Sequence, residues 1–286
     1  MTTGVRLMAV RAHPDDESSA TGGILARYAA LGVPTAVVIC TGGEEGEIHD
    51  PDLDVEEAKP RLGQIREAEL RAACAVLGVT EVRLLGYRDS GMAGEPSNQN
   101  PEAFCNADLD EAAGRLVKII RELHPQVIVT DNDYGGYGHP DHMMCHHVTV
   151  RAFSAAGDPE QYPDAGPPWS PARLYAHVGV RDRWTKIAKM MREAGFEESW
   201  LARRRRRRHP HSIPKKLTTC GIDVSPYVGV QREALACHRT QIPQDSWWLK
   251  VPLDIRRVAF GTAYFVRLHP TPEPGEKDVD LFAGLD

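Results

Sequence analysis

Residues 7–41 read LMAVRAHPDDESSATGGILARYAALGVPTAVVICT, and their changing periodicity decides the fold. Leu7–Ala12 is a short apolar run, read as a strand. Glu17–Leu31 sets Ile24, Leu25, Tyr28 and Leu31 at helical spacing, with Gly32 where a helix C-cap belongs. Thr35–Thr41 is apolar and β-branched, the pattern of a buried strand. Strand, helix and buried strand in succession predict a parallel sheet covered by helices on both faces.

The same alternation continues outward. Residues 42–60 are polar and acidic, read as loop, and Leu62–Leu77 is an amphipathic helix stopped by Gly78. Val82–Tyr87 is a third strand. Arg88–Asp108 is rich in Gly, Pro, Asn and Ser and reads as a loop, long enough to do more than connect. Leu109–Leu123 is a helix and Gln126–Thr130 a fourth strand. Beyond it, 156–172 carries five prolines and reads as a linker or surface excursion. Further on, 173–180 reads as a strand, 184–194 and 228–240 as helices, and 257–266 as a strand. The expected organisation is an α/β core over residues 1–155. Residues 156–286 form a C-terminal extension of the same domain that walls the substrate pocket.

Composition narrows the function. The 286 residues are 42% hydrophobic and 26% charged, the profile of a water-soluble globular chain with a sizeable core. No apolar run reaches the roughly 18–20 residues of a membrane span, and no signal-peptide pattern opens the chain. The expectation is a cytoplasmic protein with no membrane partner. The net charge of −6 argues against nucleic acid as a partner. Arg203–Arg208 is a local exception, read as a solvated loop. The six cysteines form no CxxC pair, so a cysteine-based zinc knuckle is not expected.

Chemistry concentrates in two turns. Ala12-His13-Pro14-Asp15-Asp16-Glu17 follows the first strand and opens a helix. A dinucleotide-binding fold would place glycines there. An imidazole and three carboxylates would repel phosphate and attract a cation. Helix entry lets His13 and Asp16 face one point while Asp15 stands beside it. Tyr137-Gly138-His139-Pro140-Asp141-His142 repeats the His-Pro-Asp pattern just after the fourth strand. In parallel sheets ligands bind at the carboxyl ends of strands, and both turns sit there. Mixed His and carboxylate donors resemble a catalytic zinc site, which keeps one position open for water. His146, four residues after His142, extends the histidine cluster and is read with His147 and Cys145 as structural.

The pair AHPDDE and GHPDH resembles the signature of the LmbE/PIG-L family of zinc-dependent N-deacetylases. The likeness covers residues 5–155, with a looser match at DLFAGL near the C-terminus. TGGEEGEI (41–48), RDSGMAG (88–94) and GGYGHPDH (135–142) resemble its mycothiol branch. That branch contains the N-acetylglucosaminyl-inositol deacetylase and the mycothiol S-conjugate amidase. The amidase carries a lysine shortly after the first motif, whereas Ser18-Ser19-Ala20-Thr21 holds none, so the deacetylase leads. A natural-product tailoring deacetylase is a third alternative.

The resemblance implies a Rossmann-like, mostly parallel sheet and a small N-acyl amino-sugar substrate. It implies zinc on His13, Asp16 and His142, with ferrous iron suited to the same donors. Asp15 would be the general base. His139 would stabilise the oxyanion or protonate the leaving amine, and Asp141 would orient His139. Tyr137 would be a mobile oxyanion partner. Arg66 and Asp89 would hold sugar or inositol hydroxyls. Homo-oligomerisation is left open.

Overall fold

A computed structural model describes residues 6–181, 183–193, 195 and 212–285. The arginine run Arg203–Arg208 lies outside them. Strand β1 (Leu7–Arg11) pairs in parallel with β2 (Thr35–Thr41) on one side and β4 (Val127–Thr130) on the other. β2 pairs in parallel with β3 (Glu81–Tyr87), and β4 with β5 (Arg173–His177). Two strands from the second half, β6 (Cys220–Asp223) and β7 (Thr262–His269), complete a seven-stranded sheet of order β3-β2-β1-β4-β5-β7-β6. β7 is antiparallel to both its neighbours.

β1 and β2 are buried over their whole length because both faces are covered. Successive side chains therefore feed two different cores. Met8, Val10, Ala36 and Val38 meet Leu116, Val117, Ile120, Val148 and Ala152. These come from α5 (Leu109–Leu123) and α7 (Pro140–Ala156). Leu7, Ala9, Val37 and Ile39 face the other way, onto Ile24, Leu25, Leu70 and Leu77. Those come from α2 (Gly22–Ala30) and α4 (Leu62–Leu77), with the short α3 (Val55–Ala58) between them in the chain. α4 stops at Gly78, whose φ of 74° a side chain would resist.

Three readings of the sequence are corrected. The helix expected over 17–31 is two: α1 (Asp16–Ser19) and α2, divided where Thr21 turns its hydroxyl back to the Glu17 carbonyl at 3.0 Å. The strand expected over 257–266 begins as a helix, Leu253–Phe260, which buries Ile255, Arg256 and Ala259. β7 starts only after Gly261. A short apolar run fits either period. β6 was missed because only four residues alternate buried and exposed. The proline-rich 156–172 segment is tied down by buried Arg121, which donates to the carbonyls of Ala156, Asp158, Gln161 and Tyr162.

Strand order reverses between β1 and β4, leaving a crevice at their carboxyl ends. Both His-Pro-Asp turns open into it.

Candidate active site

β1 delivers Arg11 and then His13–Glu17. β4 delivers Asp131, α6 (Gly135–Gly138) and His139, the residue that caps α7. The β4 segment can come close because Gly135 has φ 63° and no side chain: a Cβ there would lie 2.7 Å from the His142 Cβ.

Asp16 stands between two imidazoles. Its Oδ2 is 3.6 Å from His13 Nδ1 and 3.4 Å from His142 Nε2. One ligand atom from each of these three residues lies within 4.8 Å of the others. A tetrahedral ion with bonds of about 2.0–2.1 Å would separate its donors by roughly 3.4 Å, so the triad fits a divalent cation of that size. Charge points the same way. Asp16, Asp89, Asp131 and Asp141 are all buried around the histidines, and Arg11 is the buried guanidinium that reaches them. Burial lowers the His13 pKa, yet hydrogen bonds to Asp141, Asp16 and Asp89 outweigh it and hold the group well above the ordinary imidazole value. For Asp16, burial is outweighed by His142, His13 and Arg11, which keep its pKa well below the usual carboxylate range. The buried carboxylates therefore favour positive charge at their centre.

The outer ring nitrogens are also held. His13 Nε2 lies 3.2 Å from Asp141 Oδ2 and 3.4 Å from Asp89 Oδ1. His142 Nδ1 faces Asp131, which in turn meets Arg11. His146 follows on the same helix face and hydrogen-bonds through Nδ1 to the Asp131 carbonyl at 2.9 Å. Sequence reasoning missed Arg11 and Asp131. Their signal was two charged groups at the ends of otherwise apolar strands.

Asp15 stays off the triad and beside it. Its carboxylate is 3.2 Å from Arg66 Nη2. Burial pushes its pKa up to about 6, with the charge of Asp16 adding and that of Arg66 opposing. Arg66 is buried and also donates to the carbonyls of Gly43 and Pro14, joining the 42–60 loop to the first motif. Asp89 is buried as well. It accepts from the Gly91 N–H at 2.8 Å and the Glu45 N–H at 3.3 Å, besides its contact with His13.

His139 packs edge-on against His13, with ring centroids 4.6 Å apart. Its Nδ1 accepts the Asp141 backbone N–H at 3.2 Å. The Asp141 carboxylate goes elsewhere, to His13 and to the Ser90 N–H and hydroxyl. Burial, aided by charge on His13 and His142, lowers the His139 pKa to about 4. At neutral pH the ring is therefore uncharged, and with Nδ1 accepting, its proton sits on Nε2. Tyr137 is 47% exposed, with its hydroxyl 3.4 Å from His142 Nε2.

The second half of the chain reaches the same loops. Thr240 binds Glu69 through its N–H and hydroxyl at 2.7 and 2.6 Å. The Thr240 carbonyl accepts the His49 N–H, and Gln241 donates to the Glu47 carbonyl.

The chain is similar to several known proteins. A 1D-myo-inositol 2-acetamido-2-deoxy-alpha-D-glucopyranoside deacetylase of Acidothermus cellulolyticus is 42% identical, over 98% of this chain and 95% of its own. One of the same name from Thermobifida fusca is also 42% identical, over 97% and 99%. Among solved structures, the N,N'-diacetylchitobiose deacetylase from Pyrococcus horikoshii superposes with a TM-score of 0.63 at 18% identity, covering 94% of this chain and 88% of that one. GalB, the 4-carboxy-2-hydroxymuconate hydratase from Pseudomonas putida, does so at 0.61 and 17%, covering 94% and 98%. At such identities the likeness is one of fold, and this fold also carries a hydratase. Residues 8–153 match the PIG-L family, GlcNAc-PI de-N-acetylase. With that match and full-length relatives at about two-fifths identity, the chain belongs to the PIG-L family of de-N-acetylases.

Proposed function

We propose that the protein is a zinc-dependent deacetylase that hydrolyses the acetamide of an N-acetylglucosaminyl-inositol. His13, Asp16 and His142 would hold the metal, with ferrous iron as the alternative. A divalent ion there would acidify water to near neutrality and polarise the acetamide carbonyl. Asp15 takes the proton of the attacking water as the new carbon–oxygen bond forms. Its raised pKa suits it both to accept that proton and to return it to the amine as the carbon–nitrogen bond breaks. His139 donates its Nε2 hydrogen to the oxyanion of the tetrahedral intermediate, and Tyr137 assists. Acetate and the free amine leave.

Asp141 keeps His13 in one tautomer through its carboxylate and His139 in another through its backbone N–H. Arg66 and Asp89 would contact sugar or inositol hydroxyls while anchoring the loops around them. Residues 156–286 would wall the pocket, since Thr240 and Gln241 already meet the 42–60 loop and α4.

The observation that carries this reading is Asp15. A half-buried carboxylate with its pKa raised to about 6 stands beside a His/Asp/His triad without joining it, which a sugar-binding protein would not need. The test is acetate release from N-acetylglucosaminyl-inositol by protein loaded with one zinc. Asp15→Asn should lower kcat by about 10²–10⁴-fold with metal content unchanged. Faster turnover of a mycothiol S-conjugate would reassign the substrate. Full activity of Asp15→Asn would overturn the mechanism.

A further inference from the structure

The backbone of Asp15 is in an unusual state. Its φ is 115° and ψ −24°, on the left-handed side that side chains avoid. Such a residue persists only where its surroundings over-determine it. Four hydrogen bonds do so. The Asp15 carbonyl accepts from Ser18 and Ser19 at 3.1 and 2.8 Å. The carboxylate accepts from Arg66. The Asp15 N–H donates to Glu17 Oε2 at 2.9 Å.

Glu17 is fully buried, and its other oxygen, Oε1, is occupied by the Ser18 hydroxyl at 2.5 Å and by His238 Nε2 at 2.7 Å. His238 is fully buried too. It caps the helix Val228–Cys237, far away in the chain. Seven residues earlier, two turns along the same face, Gln231 donates to the carbonyls of Ser18 and Ser19 at 3.0 and 3.3 Å. One helix from the second half thus grips α1 at both ends.

We infer that His238 and Glu17 are positioning residues for the hydrolysis: the His238–Glu17–Asp15 N–H relay locks the Asp15 backbone and so aims its carboxylate at the reacting water. The inference rests on the reading of Asp15 as the base. Nothing about Glu17 or His238 requires contact with metal or substrate. Their effect is transmitted through one hydrogen bond to one backbone N–H, with Gln231 steadying the turn that follows.

The test measures kcat, KM and bound metal for acetate release. His238→Ala should lower kcat by about 10–100-fold, the cost expected of a misplacement on the order of an ångström, with KM and metal content unchanged. His238→Gln keeps an N–H directed at Glu17 and should restore most of the lost kcat. A purely structural histidine would not give this split or this rescue. Should His238→Ala fail to fold, Glu17→Gln, which keeps the volume but withdraws the carboxylate, should show the same selective loss of kcat. Wild-type kcat in His238→Ala or Glu17→Gln overturns the inference, as does a kcat loss matched by metal loss. If Asp15→Asn is inactive while these variants are normal, only the positioning role falls. If Asp15→Asn is active, the base itself is wrong and the relay has nothing to aim.

Discussion

His142 presents its two nitrogens to two carboxylates, Nε2 to Asp16 at 3.4 Å and Nδ1 to Asp131 at 3.2 Å. Asp131 Oδ1 is shared with Arg11 at 2.9 Å. A carboxylate behind a metal-binding imidazole fixes the tautomer and raises the basicity of the nitrogen in front. Here the buried Arg11 also offsets the charge of that carboxylate. Asp131→Asn keeps the shape and removes the charge. It should weaken metal binding by about 10–100-fold, measured by competition with a chelator. Affinity equal to wild type would show that Asp131 serves Arg11 alone.

Gly135 makes a second prediction. Alanine there would take on a φ of 63° and a Cβ 2.7 Å from the His142 Cβ. Overpacking costs typically about 1–3 kcal/mol, and the strained backbone adds to it. Gly135→Ala should lower thermal stability and, by pushing His142 away from Asp16, loosen metal binding as well. A variant that binds metal like wild type would mean the two segments can separate freely.

Only part of this site is legible in the sequence. His13, Asp15, Asp16, His139 and His142 could be found because their side chains interrupt a βα periodicity at strand ends, where chemistry is expected. The parallel core was readable for a related reason: strands buried on both faces are continuous apolar runs, as in Thr35–Thr41. The support was not readable. Arg11 and Asp131 are ordinary charges until β1 and β4 are known to be neighbours. His238 lies 221 residues from Glu17, and only the folded chain pairs them. The second half was harder still, since β6 is four residues long and the helix Leu253–Phe260 runs almost directly into β7.

The His238–Glu17 pair also predicts a pH signature in stability. Burial lowers the pKa of His238, but the charges of Glu17, Asp15 and Glu69 and the Glu17 hydrogen bond outweigh it and raise the group above its ordinary 6.5. A raised histidine pKa stabilises the fold fully below the unfolded value, and that stability is lost as pH rises through the folded value. The advantage of wild type over His238→Gln, which carries no charge, should therefore be largest below about pH 6.5 and shrink above it. Paired melting curves in the same buffers would reveal this. A difference independent of pH would mean His238 is neutral in the fold.

Two tasks compete for His139, stabilising the oxyanion and protonating the leaving amine. Its Nδ1 accepts the Asp141 N–H, and its pKa is lowered to about 4, so it enters the reaction neutral with a hydrogen on Nε2. A neutral donor suits an oxyanion better than it suits protonation of an amine, because the ring has no second proton to give. Removing an oxyanion donor costs on the order of 10²–10³-fold in kcat, which is expected for His139→Ala. His139→Gln offers an amide hydrogen near the Nε2 position but cannot transfer a proton. It should recover a substantial part of the loss if hydrogen bonding is the role. Recovery that is absent for the acetamide but appears with a substrate whose leaving group needs no protonation would instead assign His139 as the acid.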